Sequence, residues 1–153
     1  MVAIALGNPL ARDDGAALAA AEALDGEPSV DVIRAGRPGP GLLELLEPPV
    51  PTLLLDVVRR GVAPGSMVDL RLHALLSHAA PGLAVSSHGF GAASALRLGA
   101  ALGRELPPGR FLGIGGADFA PGEGLSPDVA RGLGAFVDAA RRALAELRSG
   151  ESC

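Results

Sequence analysis

Residues Leu6-Gly7-Asn8-Pro9-Leu10-Ala11-Arg12-Asp13-Asp14-Gly15 constrain the fold more than any other stretch of this chain. An apolar run, Val2 to Leu6, precedes them and reads as a buried strand. An Ala/Leu-rich run, Ala16 to Leu24, follows and reads as a helix. A strand, a Gly-Asn-Pro turn and an acidic pair at a helix start form the first unit of an α/β sheet. In such sheets ligands bind just beyond the carboxyl ends of the strands. Gly7 and Asn8 suit the unusual dihedrals of a tight strand exit, and Pro9 stiffens the turn. The acidic pair has two readings: Asp13 and Asp14 can cap the helix and suit its dipole, or offer ligand atoms at the sheet edge.

The same alternation continues along the chain. Val30 to Ala35 reads as a second strand, Thr52 to Val58 as a third with the buried run Leu53-Leu54-Leu55, and Phe111 to Ile114 as the last. Met67 to Leu72 alternates apolar and polar residues, the pattern of a less buried, antiparallel edge strand. A short helix around Leu42 to Leu46 is stopped by Pro48 and Pro49, and a longer one runs from about Gly91 to Leu102. Ser126-Pro127 is an N-cap followed by a first-turn proline, opening a helix to about Leu147. On that helix Val129, Leu133, Phe136, Val137, Ala140 and Leu144 share one face. The expectation is a single domain over residues 1–153, an α/β sandwich of about five strands with helices on both faces.

Composition removes several functions. A formal net charge of -4 gives no electrostatic case for nucleic acid or anionic membrane. There are four Phe and no Trp or Tyr, so no aromatic platform for bases or sugars is evident. The single cysteine is the terminal Cys153, a poor position for a nucleophile and unable to form an internal disulfide. With no leader-like segment and no long apolar run, a cytoplasmic protein is expected.

Three residues stand out as candidate site residues. Asp14 follows the first strand and Asp56 follows Leu53-Leu54-Leu55. If strands two and three flank strand one, both carboxylates face the crevice at the topological switch point. His88, at a loop-to-helix junction, is the third. Two carboxylates and an imidazole suit a borderline divalent metal such as nickel, zinc or cadmium. Each also has a plainer role: Asp56 as a turn residue before Arg59-Arg60, and His88 as a capping or surface histidine. Ser86 and Ser87 invite a hydrolase reading, but no Gly-x-Ser-x-Gly elbow accompanies them. His73 and His78 read as solvated, and no Walker or Rossmann glycine pattern is present.

Four segments together resemble the hydrogenase maturation proteases, endopeptidases that trim the carboxyl terminus of the large subunit of nickel–iron hydrogenases. Leu6 to Gly15 is similar to the family's amino-terminal signature, Leu53-Leu54-Leu55-Asp56 to its second motif, and Ser86-Ser87-His88-Gly89 to its third. Leu125-Ser126-Pro127-Asp128-Val129 resembles the family's Leu-Ser-Pro-Glu-Val helix start. The resemblance implies a three-layer α/β/α sandwich of the phosphorylase/hydrolase-like kind, with a mixed five-stranded sheet in the order 2-1-3-5-4 and strand 4 antiparallel. It implies that Asp14, Asp56 and His88 contact nickel carried by the substrate, not a permanent cofactor, with zinc or cadmium able to substitute in vitro. The implied partner is the large-subunit precursor, and the implied state a monomer. No nucleophile follows from the motifs. Asp14 is expected to be the ligand, and Asp13 to hold the loop by capping or by pairing with Arg12 or another arginine.

Four positions depart from the family pattern: Ala5 for the first glycine of Gly-x-Gly-Asn, Arg37 for a threonine, Val57 for an alanine, and Gly115 for a glutamate. The rival reading is a non-proteolytic metal-binding assembly factor on the same fold, since the ligand residues would serve either role.

Overall fold

The computed structural model describes residues 1–77 and 91–150, together with the backbone of residues 84–85. His88, Ser86, Ser87, Gly89, His78 and Cys153 lie outside the described residues. The strands are β1 (Val2–Leu6), β2 (Asp31–Gly36), β3 (Thr52–Arg60), β4 (Met67–Arg71), β5 (Ala84–Val85) and β6 (Gly109–Gly115). The α-helices are α1 (Ala16–Ala23), α2 (Ala92–Ala101) and α3 (Pro127–Ser149). Single 3-10 turns cover Arg12–Gly15, Gly39–Leu45 and Leu72–Leu76.

The main sheet runs β2-β1-β3-β6-β4, with β4 antiparallel to β6 and the other neighbours parallel. Counted in five strands, this is the expected 2-1-3-5-4 order, β6 being the fifth. The addition is β5, a two-residue strand antiparallel to β3. Boundaries differ in one respect that matters: β3 continues four residues past Asp56, to Arg60, so Asp56 lies inside a strand. Continued pairing to β6 through Val58↔Gly115 holds it in that extended conformation.

Side-chain alternation divides the core into two layers. Ala3, Ala5, Leu53, Leu55, Val57, Leu112 and Ile114 face α1 and α3. Val2, Ile4, Leu6, Leu54, Val58 and Phe111 face α2 and the two leucine-bearing 3-10 turns. The periodicity of α3 is realised: Val129, Phe136, Val137, Ala140 and Leu144 are buried, and Leu133 packs at the margin. Gly150 ends this helix in the left-handed region at φ 75°. The expected Leu42–Leu46 helix is a 3-10 turn beginning at Gly39, and its Leu42, Leu43 and neighbouring Leu46 still reach the core.

Three departures from the family pattern are matters of packing. Ala5 is fully enclosed beneath α1, and Val57 is enclosed in the same layer. Gly115 has no room for any side chain: a Cβ there would collide with the carbonyl oxygens of Val62 and Ala63. The same backbone is fixed by Gly65 N–H donating to Gly115 O at 2.9 Å and Gly115 N–H donating to Ser66 O at 2.8 Å. A glutamate cannot enter here without moving that turn.

Gly115→Ala is therefore expected to lower stability by about 2–3 kcal/mol. Gly134→Ala, on the exposed side of α3 with nothing within 4 Å of the added Cβ, is expected to raise it by about 0.5–1 kcal/mol. Urea denaturation of both variants beside the parent protein measures the contrast; a tolerated alanine at 115 would contradict the packing account.

Candidate functional site: a carboxylate crevice at the sheet edge

The crevice originates in strand register. β1 pairs with β3 only from Val2↔Thr52 to Ala5↔Leu55, then shifts register towards β2 at Leu6↔Gly36. β3 instead goes on beside β6, pairing Asp56↔Gly113, Val57↔Ile114 and Val58↔Gly115. A strand has two edges, and β6 holds one of them as far as Val58. β5, paired at Val58↔Val85, must therefore take the edge that β1 has left. Asp56 and Val57 lie in the gap between the end of β1 and the start of that pairing. This is the switch-point crevice expected of such a sheet.

The loop from Gly7 to Asp14 closes one side. Gly7 has φ 135°, and a Cβ on it would collide with the carbonyl oxygen of Asp14. That contact forces the loop to fold back, with Asn8 N–H donating to Asp14 O at 3.1 Å and to Asp14 Oδ2 at 2.9 Å. Leu10 N–H donates to Asn8 Oδ1 at 3.0 Å, the local turn that asparagine favours. Asp14 is thus brought to the crevice with its carboxylate oriented by the backbone of the preceding turn.

The neighbouring carboxylates do different work. Asp13 caps neither its own turn nor α1; no side-chain capping bond forms at either. Its Oδ2 accepts from Ala117 N–H and Asp118 N–H, both at 2.8 Å, and from the Ser126 hydroxyl at 2.7 Å. Its Oδ1 accepts from Ser126 N–H at 2.7 Å. Asp13 therefore sits at the start of α3, where a negative charge suits the helix dipole. Ser126 occupies the N-cap position as expected, but its hydroxyl is spent on Asp13. The expected Asp13–Arg12 pairing is replaced by one between Arg12 and Asp118, at 3.4 Å. Burial pushes the Asp13 carboxyl upward, but the hydrogen bonds from Ser126, Asp118 and Ala117 outweigh it and hold it below its ordinary value.

Asp14 meets an arginine instead. Its Oδ2 accepts from Arg37 Nη2 at 2.6 Å and Arg37 Nε at 3.2 Å. Three donors, counting Asn8 N–H, converge on that one oxygen. In the sequence Arg37 is only a departure from the family pattern; its position directly after β2 gives no sign that it reaches Asp14.

Asp56 is almost fully buried, and its Oδ1 accepts from the adjacent Val57 N–H at 2.7 Å. Among the described residues its Oδ2 has no partner. Opposite it in the sheet is Gly113, where the space is taken by Val58, Phe111 and Val68 side chains, all apolar. Burial in these surroundings pushes the Asp56 carboxyl up to about 7, against the Val57 hydrogen bond; the Asp14 charge adds to the rise and the Arg37 charge opposes it. Arg59 stacks on Phe119, 3.8 Å from the ring centroid, with its Nε buried and without a partner among the described residues. Burial lowers its pKa, and the charges of Asp14 and Arg37 both reach it.

Asp14 and Asp56 thus sense each other's charge at one crevice. Among the described residues no group of three or more His, Cys, Asp or Glu side chains is placed to hold a metal. The third expected member, His88, lies outside the described residues. An enclosed carboxylate oxygen with no donor is nonetheless the kind of atom a cation satisfies. No helix among the described residues is long and apolar enough to cross a membrane.

Fold and crevice together define an α/β protein with paired acidic groups at the switch point of a mixed sheet. No protein-family model matches the sequence, and no curated protein does. Solved structures do, and the fold is that of the hydrogenase maturation proteases. The hydrogenase maturating endopeptidase HybD from E. coli matches with a TM-score of 0.76 at 22% identity, covering 95% of this chain and 91% of its own. The NiFe hydrogenase maturation protease HybD from Thermococcus kodakarensis matches at 0.70 and 26%, covering 92% and 96%. A hydrogenase 2 maturation peptidase from a Thaumarchaeota archaeon matches at 0.63 and 26%, covering 94% and 96%.

Two acids with opposite shifts give opposite pH signatures. Asp13, held low, stabilises the fold above its unfolded value of about 3.9, and that stability is lost as pH falls through its lower folded value. Asp56, held high, does the reverse: stability falls as pH rises from about 3.9 through about 7. Thermal melts of Asp56→Asn should therefore gain on the parent protein between about pH 5 and about pH 8, whatever the fixed offset of the amide. Asp13→Ala is expected to cost about 3 kcal/mol, because it strands several buried donors, more than the ~1 kcal/mol of a simple cap. A pH-independent offset for Asp56→Asn would contradict the assignment.

Proposed function

We propose that this protein is an endopeptidase that removes a carboxyl-terminal peptide from the nickel-loaded large subunit of a NiFe hydrogenase. The observation that carries the reading is the placement of Asp14 and Asp56 at one crevice, on a fold shared along nearly the whole chain with proteins named as maturation peptidases. In this reading the whole chain acts as one domain, as a monomer in the cytoplasm, on a large-subunit precursor.

Asp14, Asp56 and His88 serve as ligands to nickel that arrives with the substrate. Asp14 is oriented for this by the Gly7–Asn8 turn, and Asp56 offers an oxygen that no donor among the described residues occupies. Nickel, already held by thiolates of the large subunit, is the signal that metal insertion is complete; zinc or cadmium would substitute in vitro. Carboxylate and imidazole ligands alone make a moderate site, and selectivity comes from how the ion is presented. Asp13 stays outside the chemistry and holds the loop.

Mass spectrometry of the cognate large subunit before and after incubation tests the reading. The nickel-loaded form should shorten by a fixed carboxyl-terminal peptide, and the nickel-free form should stay intact. Asp14→Asn should abolish this with a stability loss of about 1 kcal/mol or less, since Arg37 is half exposed. Serine- and cysteine-directed inhibitors should leave cleavage unchanged. Cleavage indifferent to nickel would refute the sensing role, and an uncut, verified tail-bearing substrate would refute the peptidase.

A further inference from the structure

We propose that Arg37 is a resident counter-cation on Asp14, which a divalent ion must displace before the carboxylate can ligate it. The inference rests on the metal-sensing reading above and adds a residue that sets which form of the ion can engage.

The first support is geometric. Arg37 directs two nitrogens, Nη2 at 2.6 Å and Nε at 3.2 Å, at the single oxygen Asp14 Oδ2. A guanidinium with two nitrogens on that oxygen, beside the Asn8 N–H, competes with a divalent cation for it, because the two positive charges repel at such distances. An ion approaching Asp14 from the Oδ1 side would still meet the same charge.

The second support is that the placement is built into the backbone. Gly36, at φ 65°, takes a conformation that disfavours a side chain, and its carbonyl accepts from Gly7 N–H at 2.9 Å. Pro38 follows Arg37 and holds residue 37 away from helical dihedrals. The strand exit of β2 is thereby tied to the Asp14 loop, with the arginine between two restricted residues.

The third support is asymmetry. The Asp14 side chain is 9% exposed and the Arg37 side chain 49%. The carboxylate is fixed by its own loop, while the arginine can swing into water without disturbing the core. An exchangeable partner needs this combination. The Arg37 charge also acts beyond its own contact, since it bears on both Asp56 and Arg59.

The consequence is a threshold. A free aqueous ion must displace Arg37 with the carboxylates of the crevice, whereas an ion already bound by thiolates on a docked protein brings further contacts to the exchange. Arg37 thereby biases the crevice against stray metal and towards presented metal.

Titration of the full chain with Ni2+ alone, by calorimetry, tests this. Arg37→Ala and Arg37→Gln should each bind Ni2+ at least ~10-fold more tightly than the parent protein. Arg37→Lys should return towards parental affinity, because it restores the charge. Adding Asp14→Asn to Arg37→Ala should remove the gain, and circular dichroism melts establish that each variant is folded. In nitrogen-edited spectra of the parent protein, the Arg37 Nε–H signal should shift to a solvent-exchanging position as Zn2+ saturates the site. Equal affinity of the parent and both neutral variants would overturn the role of Arg37 while leaving metal sensing intact. Absence of binding in every variant would overturn both.

Discussion

The Asp13 carboxylate is the interaction on which the crevice depends. Its donors come from a loop after β6 and from Ser126, the N-cap of α3, while Asp13 itself belongs to the turn after β1. The link joins two loops at the same end of the sheet and fixes the helix that covers one face. Arg12 reinforces the seam: its N–H donates to Gly122 O at 3.0 Å, and Gly122 N–H donates back to Leu10 O at 2.8 Å. Arg12 adopts φ 45°, a strained value for a side-chain-bearing residue, which the surrounding bonds hold in place. Asp14 inherits its position from this frame. The residue with the catalytic promise is placed by its neighbour.

The two carboxylates of the crevice are met differently: Asp14 by a half-exposed arginine, Asp56 within an enclosed pocket. Asp14 has an arginine; among the described residues Asp56 has only a neighbouring amide and apolar walls. Such an arrangement stores unmet ligand capacity at Asp56 while Asp14 rests satisfied. Among the described residues, an enclosed carboxylate oxygen without a donor is a cost to stability.

Much of this was legible in the sequence because the governing patterns are local. Leu53-Leu54-Leu55 announces a strand covered on both faces, Met67 to Leu72 announces an edge, and Ser126-Pro127 marks a helix start within a residue. Asp14 and Asp56 were legible as a pair because both follow apolar runs that a parallel sheet brings side by side. What escaped was every contact made between loops distant in sequence. Nothing local distinguishes a carboxylate that caps its own helix from one that reaches another, so Asp13 was assigned the nearer partner. Arg37 escaped for the same reason, since it meets Asp14 only after β2 has packed beside β1. The length of β3 beyond Asp56 was hidden because Arg59 and Arg60 look like the end of a strand, although β6 and β5 keep the backbone extended.

The span of the Asp13–Ser126 link carries a consequence for the order of synthesis. The two residues are 113 positions apart, so a chain emerging from the ribosome has its first loop long before it has the groups that hold that loop. Closing so long a connection is entropically slow, and it waits on α3. Until then the turn after β1 lacks the anchor for its buried acid, and Asp14 has no fixed bearing. The geometry of this crevice is therefore set late in synthesis, once Ser126 and α3 are in place.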